Sequence, residues 1–373
     1  MSEMRTLTEE HHARMAWARI AEPDDKTARA MIADGGFLEA LERARAGVSG
    51  LPRANAERFA ARLRDLSTER DLEITERVGA VVLFPDDAQW PCGVNDLENP
   101  PWCLWVRGSG VCLASVTQRS AAIVGARAST SYGEYVAAEL ASGLAARDFM
   151  VVSGAAFGID AAAHRGTLAS DGVTVAVLAG GVERPYPAAH ASLIARIAEV
   201  GAVVSEVPPG SAPTRSRFLA RNRLIAALSV GTVLVEAGLR SGARSTVTAA
   251  IDVDRPVAAV PGPVTSMVSA GCHEEIRKGR AVLVTDAAEV AELFGRIGAD
   301  LAEPKHGERR PSDGLDEDVF RVWQSLPSRR SITVEALTSA AGLGVIDVVG
   351  ALGQLEAADL AKRTHRGWTR CTP

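Results

Sequence analysis

From residue 121 the apolar positions fall into short unbroken runs, separated by longer stretches in which they recur every three or four residues. The runs are AAIVGA, FMVVSG, VTVAVLAGG, GAVVSE, GTVLVEA, PVAAVPG and AVLVTD. The stretches between them include Tyr132–Arg147, Gly158–Ala169, Ala188–Glu199, Arg217–Ser229, Thr246–Asp252 and Cys272–Lys278. Unbroken Val/Ala/Leu runs read as strands buried on both faces, and the intervening period reads as helices. Strand and helix in strict alternation predict an α/β fold: a Rossmann-like, doubly wound parallel sheet with helices on both sides.

The flanks follow other rhythms. Residues 1–72 carry Met15, Trp17, Ile20, Met31, Ile32, Leu38, Leu41, Phe59, Leu63 and Leu66 at mixed three-and-four spacing, broken at Pro23-Asp24-Asp25 and Gly35-Gly36. A small helical domain is predicted there. Residues 73–298 form the sheet domain. Its lead-in, up to residue 120, is punctuated by Pro85, Pro91, Pro100 and Pro101, with strand-like runs over 78–84 and Trp102–Val106. Residues 299–314 are polar and aperiodic, as a linker is. Residues 315–373 read as three helices and a hairpin turning at Arg366-Gly367, the pattern of a winged helix.

Composition narrows the function classes. Hydrophobic content of 47% with 23% charged residues is that of a water-soluble globular chain. The 41 basic and 46 acidic residues leave a formal net charge of -5, so any polyanion site has to be local. Five cysteines without a CxxC pair suit neither a disulfide framework nor a zinc site and point to a reducing, cytoplasmic compartment. No stretch reaches the length a membrane span requires. His11-His12 is the one histidine pair, and a helix terminus explains it more simply than a metal.

The strand ends carry the candidate chemistry. Gly125-Ala126-Arg127 follows the first run, Ser153-Gly154 with Gly158 the second, Gly180-Gly181 the third, and Ser241-Gly242 the fifth. Small residues between a strand and a helix N-terminus leave backbone N–H groups aimed at an anion. The segment Arg215–Arg223 adds four arginines without a carboxylate, and guanidinium forks suit phosphates. One such turn would hold a mononucleotide, whereas a series fits a phosphate chain such as a DNA strand. There is no GxxxxGK[ST], which excludes a P-loop NTPase, and no GxGxxG after the first strand. Asp160 and His164, at i,i+4, could share a helix face as a base pair or half a metal site. A helix-terminal hydrogen bond and a packed histidine explain them more economically. With 5% aromatic residues, base stacking is a minor term, although Tyr132, Phe157, Tyr186 and Phe218 lie near the turns.

These residues resemble the DprA/Smf family of bacterial DNA-processing proteins. The motifs are Ile123-Val124-Gly125-Ala126-Arg127, Ser153-Gly154 through Asp160 to His164, Val177–Gly181 with Tyr186-Pro187, and Ser205–Gly210. They continue with Phe218–Ser229, Val235–Ala237 with Ser241-Gly242, and Val260-Pro261-Gly262. The resemblance implies a non-enzymatic homodimer, without cofactor or metal, that binds single-stranded DNA in the Rossmann-like domain. It further implies protection of incoming DNA and loading of the RecA recombinase during natural transformation, and a SAM-like N-terminal domain. Carried over, the DNA contacts are Gly125, Ala126, Arg127, Ser153, Gly154, Gly158, Gly180, Gly181, Arg221, Asn222, Arg223, Ser241 and Gly242.

Three positions depart from the family pattern. Ala126 stands where serine is common, Phe157 where arginine is frequent, and Ala243-Arg244-Ser245 replaces an apolar run. On the C-terminal hairpin, Lys362, Arg363, Arg366 and Arg370 suit either a second DNA surface or a partner-docking or solvated one. The alternative function is a nucleotide-processing enzyme, similar to the lysine-decarboxylase-like phosphoribohydrolases; only Gly231-Thr232 and Glu236 echo their motif.

Overall fold

β1 (Ala80–Leu83) and β2 (Leu104–Arg107) precede the seven strands that the apolar runs build. These are β3 (Ser120–Val124), β4 (Met150–Ser153), β5 (Thr174–Val177), β6 (Ala202–Ser205), β7 (Thr232–Leu234), β8 (Val257–Ala259) and β9 (Val282–Leu283). The computed structural model describes residues 7–47, 53–108, 111–305, 307 and 312–371. All nine strands form one sheet in the order β1-β2-β6-β5-β4-β3-β7-β8-β9. β3 to β9 pair in parallel, while β1–β2 and β2–β6 pair antiparallel. The proline-punctuated lead-in therefore completes one edge of the main sheet.

Side-chain alternation splits the core into two layers. Ala121, Ile123, Val151 and Val233 face α6 (Ser131–Ala145), α7 (Ile159–Ala169) and α12 (Ala287–Phe294). Ala122, Val124, Val152 and Leu234 face α9 (Arg215–Ala227) and α10 (Ala243–Asp252). From β3 the chain winds outward through β4, β5 and β6, then returns to start again on the other side at β7. The crevice of a doubly wound sheet opens at such a switch point, beyond the carboxyl ends of the strands.

The N-terminal helices are α1 (Glu9–Ile20), α2 (Lys26–Ala46), α3 (Arg53–Leu63) and α4 (Thr68–Arg77). Asp25 caps α2 by accepting from the amides of Thr27 and Ala28, and Gly36, at φ 75°, interrupts that helix at the predicted glycine pair. Trp17 packs edge-on against Phe59 and Trp102, at ring distances of 5.8 and 6.2 Å. Glu22 accepts ion pairs from both Arg62 and Arg217, which ties these helices to α9. They share one unit, Met1–Ala302, with the sheet.

The second unit spans Glu303–Pro373. It consists of α13 (Glu317–Ser325), α14 (Val334–Ala341), α15 (Val345–Ala357) and an antiparallel hairpin, β10 (Ala361–Thr364) with β11 (Gly367–Arg370). Thr333 caps α14, and Gly342, at φ 66°, ends it. Val322, Leu337, Val348, Leu352 and Leu355 fill its core. Positions 306 and 308–311 of the predicted linker lie outside the described residues. Among the described residues no single helix is long and apolar enough to cross a membrane.

Candidate functional site

A cleft of about 1100 Å³ opens beyond the carboxyl ends of β3 and β7. Of the residues singled out from the sequence it brings together Gly125, Ala126, Arg127, Arg221, Asn222, Ser241 and Gly242. Ser153, Gly154, Gly158, Gly180, Gly181 and Arg223 are not on its lining. Ser153 Oγ donates to the Ile123 carbonyl inside the sheet. Gly181 donates its amide to the Ser211 carbonyl, which seats the Gly180-Gly181 turn against the following loop. Gly158, at φ 74°, precedes α7, where a Cβ would fall 2.3 Å from the Ala126 carbonyl oxygen.

Several of the turn amides that the sequence offered to an anion are already taken inside the fold. The buried Glu236 carboxylate accepts from the Thr130 amide at 2.9 Å and from its hydroxyl at 2.6 Å, at the start of α6. The Ala126 amide donates to the Glu236 carbonyl at 2.7 Å. At α7 the Asp160 carboxylate accepts from the amides of Gly154 and Ala156, at 3.2 and 3.4 Å. The protein's own carboxylates thus occupy the anion positions that the macrodipoles favour. Asp160 makes the helix-terminal hydrogen bonds that were the economical reading. Its carboxyl is pushed up by burial, against the pull of Arg221. His164 is packed: its Nδ1 lies 2.7 Å from Thr174 Oγ1, whose proton goes to the Val151 carbonyl, so the imidazole is the donor. Burial, with the nearby Arg221 guanidinium and the His190 ring, lowers the His164 pKa to about 3.

Arg221 and Asn222 brace the walls, and Arg223 points away from them. Arg221 is buried, and its guanidinium donates to the carbonyls of Gly154, at 2.9 Å, and of Val177. It thereby clamps the ends of β4 and β5 together. Burial lowers its pKa to about 10, which leaves it charged at neutral pH. Asn222 donates to the Gly242 carbonyl and to Ser245 Oγ, tying α9 to the turn before α10. Arg223 holds both oxygens of Glu206, at 2.6 and 2.7 Å, on the far side of α9. Arg217 is spent on Glu22, and Arg244, the extra cation near Ser241-Gly242, on the buried Glu275.

Three cations remain. Arg127, Arg215 and Arg240 are exposed and line the cleft. Among the described residues none of the three guanidiniums has a carboxylate partner. Arg127 lies over the Phe218 ring at 4.3 Å, and Phe218 in turn tilts against Tyr186 at 5.5 Å. This cation–aromatic layer forms one wall, the only sort of surface there on which a base could rest. Phe157 is half-exposed, edge-on to His190 at 4.7 Å, and is not part of the lining. Arg240 escaped the sequence reading because it stands alone after Leu239, outside any arginine run. On the C-terminal hairpin Lys362, Arg363 and Arg366 are exposed. Arg370 instead turns inward, donating to the carbonyls of Trp323 and Gln324 and covering the Trp323 ring. Among the described residues no group of three or more His, Cys, Asp or Glu is placed to hold a metal.

Comparison with known proteins identifies the family. The pattern of the family described as DNA recombination-mediator protein A matches residues 81–295. The chain is 46% identical to a DprA relative of Mycobacterium tuberculosis over 369 residues, which cover 95% of this chain and 93% of the relative. It is 37% identical to protein Smf of Escherichia coli over 328 residues, covering 86% of this chain and 85% of that protein. Among solved structures, the DNA processing protein A of Streptococcus pneumoniae superposes with a TM-score of 0.63 at 27% identity, over 78% of this chain and 100% of that one. The Helicobacter pylori DNA processing protein A, a structure concerned with single-stranded DNA binding, gives a TM-score of 0.51 at 29% identity, over 57% and 93%. The chain belongs to the DNA recombination-mediator protein A family, the DprA/Smf DNA-processing proteins.

Proposed function

We propose that this protein binds single-stranded DNA by its phosphates in the cleft at the β3/β7 switch point, without catalysing a reaction on it. The observation that carries the reading is the contrast among the arginines. Arg217, Arg221, Arg223 and Arg244 are each committed to protein carboxylates or carbonyls, while Arg127, Arg215 and Arg240 face the cleft unpaired. Three free guanidiniums on one concave surface suit the regular charge of a strand backbone better than a single phosphate. The Arg127–Phe218–Tyr186 wall offers at most a local rest for a base, so recognition is independent of sequence. That the H. pylori relative is described as binding single-stranded DNA supports the assignment.

The reading extends to protection of incoming DNA and its transfer to the RecA recombinase in natural transformation, by a cytoplasmic homodimer. The edge strand β9 supports self-association: Val282 and Leu283 are 52% and 48% exposed beside an unpaired ladder. In this reading the three helices and hairpin of the C-terminal unit are a winged helix, since α14 and α15 meet at 103°. The phosphoribohydrolase alternative is not favoured, because the Glu236 carboxylate that suggested it is buried against Thr130.

The test is the salt dependence of single-strand binding. Replacing Arg127, Arg215 and Arg240 by alanine should flatten the log–log slope by about 2 units, at about 0.7 per phosphate neutralised. A triple variant with the wild-type slope would remove the cleft from the mechanism. Arg221 is unsuitable for this experiment, since its loss would disturb β4 and β5 as well as charge.

A further inference from the structure

The C-terminal unit segregates its charge, and it does so against the usual division of labour in a helix–turn–helix. In that motif the second helix lies in the major groove, and its N-terminal residues meet the base edges. The corresponding helix here is α15. Its N-terminal turns expose Val345, Ile346 and Val349 at 58%, 87% and 53%, with Asp347 beside them. No lysine or arginine occurs between Val345 and Ala357. Such a face has no cationic side chain for a base edge or a phosphate, and the Asp347 carboxylate repels the backbone.

The cations stand elsewhere. Arg329 and Arg330 are exposed in the loop before Ile332, and Lys362, Arg363 and Arg366 are exposed on the hairpin. The fold joins the two groups. Ile332 and Trp368 exchange backbone hydrogen bonds of 2.9 and 2.8 Å, and the hydroxyls of Ser331 and Thr364 lie 2.7 Å apart. Five cations separated by over 30 positions in sequence therefore share one end of the unit. None of the five has a carboxylate partner among the described residues. Trp368 is half-buried and packs on the core, so the surface has no tryptophan, tyrosine or phenylalanine available for stacking a base.

We propose that the hairpin β10–β11 and the loop at Arg329-Arg330 form a second nucleic-acid site that grips phosphates without reading sequence, and that α15 takes no part in it. The site does not depend on the cleft reading. Phosphate backbones of duplex and single-stranded DNA offer the same chemistry, so the experiment has to separate them. Binding of the full chain to labelled duplex and single-stranded oligonucleotides is followed by fluorescence anisotropy across a salt series. The variant R329A/R330A/K362A/R363A/R366A should flatten the log–log slope by about 4 to 5 units on duplex, or about 3 to 4 on single strands. At low salt its affinity should fall roughly 100-fold.

Loss on duplex alone assigns the site to duplex, loss on single strands alone to single strands, and loss on both to either. Unchanged slopes on both would overturn the proposal. Arginine-to-lysine replacements at the four arginines should keep the slope. If the alanine variant melts early, the single reversals R330E and R363E report the same effect in a folded chain. V345A/I346A should bind as wild type does, and a loss matching the five-site variant would return the contact to α15. The cleft variant R127A/R215A/R240A, run in parallel, shows which of the two sites has failed if only one does.

Discussion

Single residues in this protein do work that their sequence neighbourhood hides. His164 and Asp160 sit four residues apart and have opposite tasks: one donates from the buried face of α7 to Thr174, the other accepts from the amides before that helix. The pKa of about 3 for His164 makes its contribution dependent on pH. Because the folded value lies below the ordinary one of about 6.5, the unfolded chain takes up the proton first. The stability from the neutral imidazole is therefore complete above about pH 6.5 and falls as the pH drops from there toward 3, by about 1.4 kcal/mol per unit. The buried Asp160 and Glu206 are shifted upward and act in the opposite sense, so the comparison has to be with a variant. Urea unfolding of wild type and His164→Leu, from about pH 7.5 to about pH 5, should show the difference shrinking with acid. A pH-independent difference would mean that His164 takes up its proton in the fold as readily as in the unfolded chain.

At the scale of elements, the strand-to-helix turns were legible and their purpose was not. Glycine after a strand signals close approach of backbone, and the sequence does not say what approaches. At Gly154 it is the Arg221 guanidinium: a Cβ there would lie 2.3 Å from Arg221 Nη2. That group is held by two carbonyls and cannot swing aside. Gly154→Ala should accordingly lower stability by about 1 to 3 kcal/mol, as overpacking does. Gly350→Ala on α15, where a Cβ meets nothing within 4 Å, should instead be neutral or stabilising. Thermal unfolding of the pair checks both, and equal melting temperatures would mean that the Arg221 clamp yields. Helix α9 shows why the arginine run was ambiguous. Arg217, Arg221 and Arg223 leave one helix toward the N-terminal helices, the β4–β5 ends and Glu206, so only Arg215 reaches the cleft as a free cation.

For the whole molecule, the unpaired edge at β9 carries the expectation of assembly. If the homodimer forms there, Val282→Lys with Leu283→Lys should yield a monomer by sedimentation velocity while the cooperative melt is kept. A dimer surviving both substitutions would move the interface elsewhere. The opposite edge is closed differently: β1 is backed by α4, and Met15 of α1 packs with Phe84 and Trp105 near that end of the sheet. The N-terminal helices therefore act partly as an edge cover, and their ion pairs from Glu22 to Arg217 carry that cover across to α9.

The sequence by itself determined the layer architecture, because apolar runs of period one and helices of period 3.6 admit few arrangements besides a covered parallel sheet. It also determined where the chain turns, since small residues and prolines act locally. Which turn groups were left for a ligand was decided only in three dimensions. The amide of Ala126 is taken by the Glu236 carbonyl and that of Thr130 by the Glu236 carboxylate, from just past β7, and Arg221 by the carbonyls of Gly154 and Val177. A hydrogen-bonding group is available only if no other segment satisfies it first. The turn at Gly125–Arg127 was thus legible as a place on the cleft, while the fold decided which of its amides are taken and that Arg127, Arg215 and Arg240 are left without a carboxylate among the described residues.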